Sequence, residues 1–239
     1  MTAVIAMWSG PRNISTTMMR AFASRPDMAA LDEPFYGEYL SRTGVGHPYR
    51  DETLAAYPPT FDGVLDWIER ERVAPALFLK HIAYHLPEGV DFGFLETWRN
   101  FLLIRDPRAM VASFAGKFED VTPIVRSYEI ELAIFDHLSQ KGLPCPIIDA
   151  ADILKSPERA LRSLCAALEL PFHGAMLSWP AGPAPEDGPW APHWYEAVWS
   201  STGFQPYVEK NIKLSRELEA QAAVAAPAYA RLRKHRLTA

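Results

Sequence analysis

Five short apolar runs punctuate the chain: TAVIAMW (2–8), MAALDE (28–33), ALFLKHI (76–82), NFLLIR (100–105) and PIIDA (146–150). Most are continuous rather than alternating, which is the pattern of strands covered on both faces of a parallel sheet. Between and after them, segments 15–24, 61–72, 107–117, 123–141 and 156–168 read as helices. Strand and helix in alternation predict an α/β fold with a central, mostly parallel sheet.

Local signals sharpen the boundaries. Ser156, Pro157 and Glu158 read as an N-cap, a first-turn proline and an acidic first turn. Asp106-Pro107 repeats that start, and Asp62 is expected to open the segment carrying Val64, Leu65 and Ile68. Residues 41–60 show little periodicity, and 178–193 (SWPAGPAPEDGPWAPH) are dense in Pro and Gly. Loops of that length are either functional lids or mobile. The Ala-, Glu- and Arg-rich part 208–236 reads as a helix broken or ended near Pro227. No repeat or convincing boundary interrupts the chain, so 1–239 is expected to form a single domain with irregular insertions near 41–60 and 178–198.

Composition narrows the function classes. With 49% apolar residues, the 239-residue chain can bury a core without staples. The formal charge is −5 with both signs interspersed and no long basic run, so nucleic acid is not an expected partner. Cys145 and Cys165 lie twenty residues apart without a nearby histidine pair, which is neither a disulfide framework nor a zinc spacing. A reduced, cytoplasmic setting follows as the expectation. No secretory signal is expected ahead of the first strand, and no run approaches the ~20 apolar residues of a membrane helix.

Two stretches carry candidate chemistry. The first, GPRNISTT (10–17), joins the first strand to the first helix. A helix start offers unpaired N–H groups and the positive end of the helix dipole, and so holds an anion. Gly10 is expected to permit the tight turn, Arg12 to supply a forked cation, and Ser15, Thr16 and Thr17 to supply hydroxyls. A nucleotide-triphosphate loop would carry a Gly-Lys step here, and none is present. The second stretch, FLLIRDPRAMVASF (101–114), puts Arg105 at a strand's carboxyl end and Ser113 eight residues later, about two helical turns on. Carboxyl ends of parallel strands are where such sheets place ligands.

Together the two stretches resemble the sulfotransferase superfamily. GPRNISTT resembles its 5′-phosphosulfate loop, although Ile14 stands where that family usually has Gly. IRDPRAMVAS resembles its 3′-phosphate motif, with Arg105 and Ser113 at the family's separation. The resemblance implies a bacterial-type, P-loop-type three-layer α/β/α fold. It implies transfer of a sulfuryl group from 3′-phosphoadenosine 5′-phosphosulfate (PAPS) to a hydroxyl or amine of a small-molecule acceptor. The product would be adenosine 3′,5′-bisphosphate, and no metal would be needed. The cofactor contacts implied are Gly10, Pro11, Arg12, Asn13, Ile14, Ser15, Thr16, Thr17, Arg105 and Ser113. Residues 145–172 are similar to the family's strand and Ser-Pro-capped helix, but no aromatic stands near Ala150, which leaves the adenine contact unassigned. WSSTGF (199–204) looks like the segment that closes over the nucleotide, with Ser201, Thr202 and Gly203 as contacts.

Such a transfer needs a base for the nucleophile and positive charge at the leaving phosphate. Arg12 fits the second role. Glu33 ends the second strand, facing the loop; alternation is expected to point Asp32 the other way. FLKHIAYHLP (78–87) is similar to the family's Lys-x-His-Leu-Pro segment, in which His is the base and Lys contacts the transferred group. The segment is stretched here, so either His81 or His85 corresponds. The expected catalytic set is Glu33, Lys80, His81 and Arg12, with His85 as a further alternative. Trp179, Trp190, Trp194, Tyr195 and Trp199 either cover an apolar or aromatic acceptor or pack a Pro-rich segment onto the core. Two rival functions remain at this stage: a catalytically silent nucleotide-binding protein on the same fold, and an atypical P-loop kinase or NTPase.

Overall fold

The computed structural model describes residues 2–115, 122–209 and 211–238. Five strands, β1 (Ala3–Ser9), β2 (Met28–Asp32), β3 (Ala76–Ile82), β4 (Arg99–Ile104) and β5 (Ile147–Asp149), form one parallel sheet in the order β2-β3-β1-β4-β5. Each of the five apolar runs is therefore a strand. Their continuity has the expected cause: on β1, Ile5 and Met7 enter one core while Val4, Ala6 and Trp8 enter another, and all five are buried.

The longer helices are α1 (Ser15–Ala23), α2 (Tyr36–Thr43), α3 (Arg50–Ala56), α4 (Phe61–Arg70), α5 (Pro107–Phe114) and α6 (Thr122–Gln140). They continue as α7 (Ala150–Lys155), α8 (Pro157–Ala167), the single turns α9 (Ala191–Trp194) and α10 (Glu196–Trp199), and α11 (Arg216–Lys234). Residues 116 and 117 of the segment read as helix 107–117 lie outside the described residues. Phe22 of α1 and Leu161 and Leu164 of α8 pack on one face of the sheet. Val64 and Ile68 of α4, Ile134 and Leu138 of α6 and Leu232 of α11 pack on the other.

Several local expectations need correction. Thr60, not Asp62, caps α4, its hydroxyl accepting from Gly63 N at 3.3 Å. Ser156 precedes α8 without a side-chain cap bond, whereas Asp106 caps α5 by accepting from Arg108 N and Ala109 N. Residues 41–60 are not simply irregular; they contain α3 and the end of α2. Pro227 lies inside α11 without ending it, because Ala222, Ala225 and Leu232 of that helix are held in buried contacts.

The Pro-rich stretch is an ordered strap rather than a mobile loop. Arg20 of α1, itself buried, grips it by donating to Glu186 at 2.6 Å and Asp187 at 2.7 Å. Asp187 also accepts from Trp199 Nε1 at 2.9 Å and from Ala184 N at 2.9 Å. A desolvated, multiply bonded ion pair of this kind is costly to break from one side. Trp179 and Trp190 of the strap, and Tyr195 just after it, are buried.

Candidate active site

The loop from β1 to α1 turns through two left-handed residues, Arg12 (φ 60°) and Ile14 (φ 51°). Ile14 is the N-cap of α1 and gives no side-chain cap, so the first N–H groups of the helix face outward without one. A β-branched residue pays for a positive φ in strain. Ile14 therefore holds a left-handed backbone that glycine would reach without strain. Gly10 serves differently from expectation: it is not among the positive-φ glycines. A Cβ there would lie 2.5 Å from Met110 Cε and 3.3 Å from Ser127 Cβ, so a larger residue would displace the Met110 side chain.

Asn13 turns inward and donates to the Leu103 carbonyl of β4, tying the loop to the sheet. Arg12 Nε donates to Ser113 Oγ at 3.2 Å, and Arg105 donates to the Arg12 carbonyl at 2.5 Å. The two motifs that lie ninety-odd residues apart are thus in direct contact. Burial pulls both guanidiniums below their usual range. Among the described residues, neither Arg12 nor Arg105 has a carboxylate within salt-bridge distance. Two half-buried cations with no carboxylate within salt-bridge distance among the described residues, beside an uncapped helix start, can hold an anion.

A cavity of about 290 Å³ opens over this loop. Residues Pro11 to Thr17, Arg105 and Ser113 line one end. Glu33, Tyr36, Lys80 and His85 line the other, roofed by Trp190, Trp194, Tyr195 and Val198 of the strap. A wider cleft of about 1410 Å³ shares Arg105 and Ser113 and runs on past Ala150, Lys155 and Tyr207.

At the roofed end, Lys80 Nζ donates to Asp32 Oδ1 at 2.9 Å, to Tyr195 Oη at 2.7 Å and to Glu33 Oε1. Tyr195 donates onward to Asp32 Oδ2 at 2.6 Å and accepts from Trp190 Nε1 at 3.1 Å. All three ammonium protons of Lys80 are therefore engaged within the protein. Burial alone would lower the Lys80 ammonium, but Asp32 and Glu33 outweigh it and hold it above its usual range. Burial pushes the Glu33 carboxyl up and the Asp32 charge adds to this, while Lys80 opposes; Glu33 comes to rest at about 7. Asp32 and Glu33 both reach Lys80, contrary to the alternation expected. The strand ends at Asp32, and Glu33 takes a left-handed φ of 46° that turns its side chain back.

Lys80 and His81 do obey alternation, and it separates them. His81 enters the opposite core, stacked on Trp8 with ring centroids 4.0 Å apart, and it does not line the cavity. Its two ring nitrogens have no hydrogen-bond partner among the described residues, and burial holds the ring neutral, with its pKa lowered to about 3. His81 is thus corrected from the cavity to the core. His85 does line the cavity, with Nδ1 3.8 Å from Glu33 Oε2 and its ring stacked on Tyr36. Burial, and then His47 and Lys80, hold His85 neutral.

Ser201, Thr202 and Gly203 are not brought to either cavity. Ser201 Oγ accepts from Trp179 Nε1, the Thr202 carbonyl accepts from Trp179 N, and Gly203 bridges Ser178, so the three fasten the foot of the strap. Tyr207, which the sequence did not single out, lines the wider cleft with Lys155 Nζ 4.7 Å from its ring centre. Among the described residues, no group of three or more His, Cys, Asp or Glu side chains is placed to hold a metal ion. Nor is any helix among them long and apolar enough to cross a membrane.

Comparison with known proteins follows the same geometry. The family described as Sulfotransferase domain matches residues 3–235. Branched-chain-amino-acid aminotransferase-like protein 2 of Arabidopsis thaliana is 42% identical over 206 residues, covering 84% of this chain and 36% of that protein. Protein 1 of the same name and organism is 39% identical over 202 residues, again 84% of this chain and 36% of the relative. The chain therefore spans about 36% of the length of these curated relatives. Among solved structures, a sulfotransferase from Alicyclobacillus acidocaldarius is 13% identical with a TM-score of 0.60, covering 100% of this chain and 98% of its own. The sulfotransferase domain of the Synechococcus PCC 7002 olefin synthase is 16% identical with a TM-score of 0.52, covering 94% of each chain. At such identities the likeness is one of fold.

Proposed function

Since the chain belongs to the sulfotransferase domain family, we propose that its 239 residues act as one unit that moves a sulfuryl group from PAPS to a small-molecule acceptor. The observation that carries this reading is the contact between Arg12, Arg105 and Ser113: two half-buried cations with no carboxylate partner among the described residues, beside an uncapped helix start. PAPS, when bound, supplies the activated sulfuryl group. The first N–H groups of α1, Arg12 and the hydroxyls of Ser15, Thr16 and Thr17 would hold its 5′ end, and Arg105 and Ser113 its 3′-phosphate. The adenosine end would extend into the wider cleft toward Ala150 and Tyr207.

Glu33 is the base in this reading. Poised at about 7, it is basic enough to take a hydroxyl proton yet is ionised in half the molecules at neutral pH. Lys80 does not reach for the sulfuryl group, because its protons are spent on Asp32, Glu33 and Tyr195. It orients Glu33 and offsets the cost of ionising it. Arg12 stands where charge builds on the leaving phosphate. Trp190, Trp194 and Tyr195 keep water from the reacting end and favour an apolar or aromatic acceptor body. Ile14 speaks against a catalytically silent protein, since its left-handed backbone supplies the path glycine would give.

Calorimetry separates this from the kinase reading. Adenosine 3′,5′-bisphosphate is expected to bind without metal and more tightly than Mg-ATP. A preference for Mg-ATP would remove the proposal.

A further inference from the structure

The insertion 41–60 reaches the site through one residue. Helix α3 ends at Ala56, and the next residue, Tyr57, turns toward the end of β2. Its Oη donates to the Asp32 carbonyl at 3.0 Å. Tyr57 is not among the residues lining either cavity, so its bond is to the frame of the site.

That carbonyl lies on the free edge of the sheet. β2 is the outermost strand and pairs on one side with β3. The Glu33 N–H points toward β3, donating to the Lys80 carbonyl at 2.8 Å. In a trans peptide the C=O points opposite the N–H, so the Asp32 carbonyl points away from β3, and Tyr57 stands in for a missing strand. A rigid peptide plane held at both its C=O and its N–H cannot rotate. The following peptide is held as well, because Tyr36 N donates to the Glu33 carbonyl at 2.8 Å.

Between these pins Glu33 keeps its left-handed φ of 46°. A residue other than glycine persists in that region only where its surroundings over-determine it. Alternation alone would put Glu33 on the face of Leu31, which packs against the other core. The left-handed turn returns it to Lys80, beside Asp32. Gly37, in the first turn of α2, lets Tyr57 come this close. A Cβ there would lie 2.6 Å from Tyr57 Cβ and 3.1 Å from the Pro58 carbonyl oxygen. Glycine is a poor helix former, so the close approach explains its use.

We propose that Tyr57 is a positioning residue for the base: its hydroxyl pins the peptide between Asp32 and Glu33 so that the Glu33 carboxylate turns back onto Lys80 and into the cavity. The catalytic meaning of this rests on the sulfotransferase reading above; the placement of Glu33 does not.

The test titrates Glu33 in the full chain with neither donor nor acceptor present. The readout is the infrared band of its protonated carboxyl, assigned by its loss in Glu33→Gln. The titratable groups around Glu33 are Asp32, Lys80, His85 with Nδ1 at 3.8 Å, and Tyr36, Tyr84 and Tyr195, whose hydroxyls burial keeps protonated. Lys80 is the group that pulls Glu33 down, against burial and Asp32, to about 7. Tyr57→Phe removes one oxygen and keeps the ring beside Trp67 and Trp190, at centroid distances of 4.9 and 5.2 Å. Turned off Lys80 toward the face of Leu31, Glu33 is expected to titrate at least about one pH unit higher, a tenfold change in its proton affinity. A midpoint that is unchanged or lowered overturns the proposal. Adenosine 3′,5′-bisphosphate affinity is expected to stay within about twofold; a larger loss would make Tyr57 a general support of the fold and overturn the proposal too. Gly37→Ala asks the same question with the hydroxyl present, by pushing Tyr57 off the carbonyl. It is expected to raise the midpoint in the same direction, and an unchanged midpoint there also overturns the proposal. Failure of the bisphosphate to bind the native chain strikes the sulfotransferase reading instead, and the infrared titration then decides the placement of Glu33 by itself.

Discussion

The two ends of the cavity are built in opposite ways. The anion end comes from one contiguous stretch, Pro11 to Thr17, joined by Arg105 and Ser113 from a second motif. Its charges are cations with no carboxylate partner among the described residues, bonded instead to Ser113 Oγ and the Arg12 carbonyl. The roofed end comes from segments scattered over the chain: Asp32 and Glu33, Lys80, and Tyr195 from the strap. Its charges are already paired, Lys80 with Asp32 and Glu33. One end presents cations without carboxylate partners among the described residues; the other is a preset network that orients a single carboxylate. Binding energy should therefore reside at the first end and turnover at the second.

The largest expected effect tests the second half of that statement. Glu33→Gln is expected to lower turnover by about 10²–10⁴-fold, the usual contribution of a general base. Bisphosphate affinity, measured by calorimetry, should hardly move. The native enzyme should also lose kcat/KM about tenfold per pH unit below about 7, because the base must be ionised and Glu33 protonates there. The Gln variant should lack this acid limb. If it kept both rate and limb, the base would lie elsewhere.

Arg105→Ala tests the first half. It removes a half-buried cation that donates to the Arg12 carbonyl and lines both clefts. Bisphosphate binding should weaken by about 2–5 kcal/mol, as expected when one partner of a desolvated charge pair is lost. Unchanged affinity in calorimetry would mean the two arginines are structural and the comparison between the ends fails.

The contrast also explains what could be read from the sequence. The strands were legible because burial on both faces gives continuous apolar runs, as in ALFLKHI (76–82). The anion loop was legible because an anion site needs donors that are neighbours in sequence. At the roofed end Glu33, Lys80 and Tyr195 were legible singly but their network was not, since Tyr195 meets Asp32 across 163 positions and no local pattern encodes that. Asp32 and Glu33 misled for a backbone reason: the left-handed φ at Glu33 cancels alternation just where it was relied on. Helices α2 and α3 were missed because they are short, at 8 and 7 residues, and are held by tertiary packing rather than by a long periodic face.

The smallest expected effect concerns the neighbour of Lys80, and it probes how sharply the sheet divides reacting from non-reacting side chains. His81 is one residue from Lys80, yet faces Trp8 and Phe35 in the other core. His81→Phe replaces one flat ring by another and removes two buried nitrogens that have no partner. A volume-conserving swap of this kind changes stability by less than about 1.5 kcal/mol, and losing unsatisfied polar atoms pushes toward stabilisation. Turnover and its pH profile should remain those of the native protein, with stability measured by denaturant unfolding. A loss of rate comparable to that of Glu33→Gln would put His81 in proton transfer. The separation of the two faces that distinguishes Lys80 from His81 would then have to be abandoned.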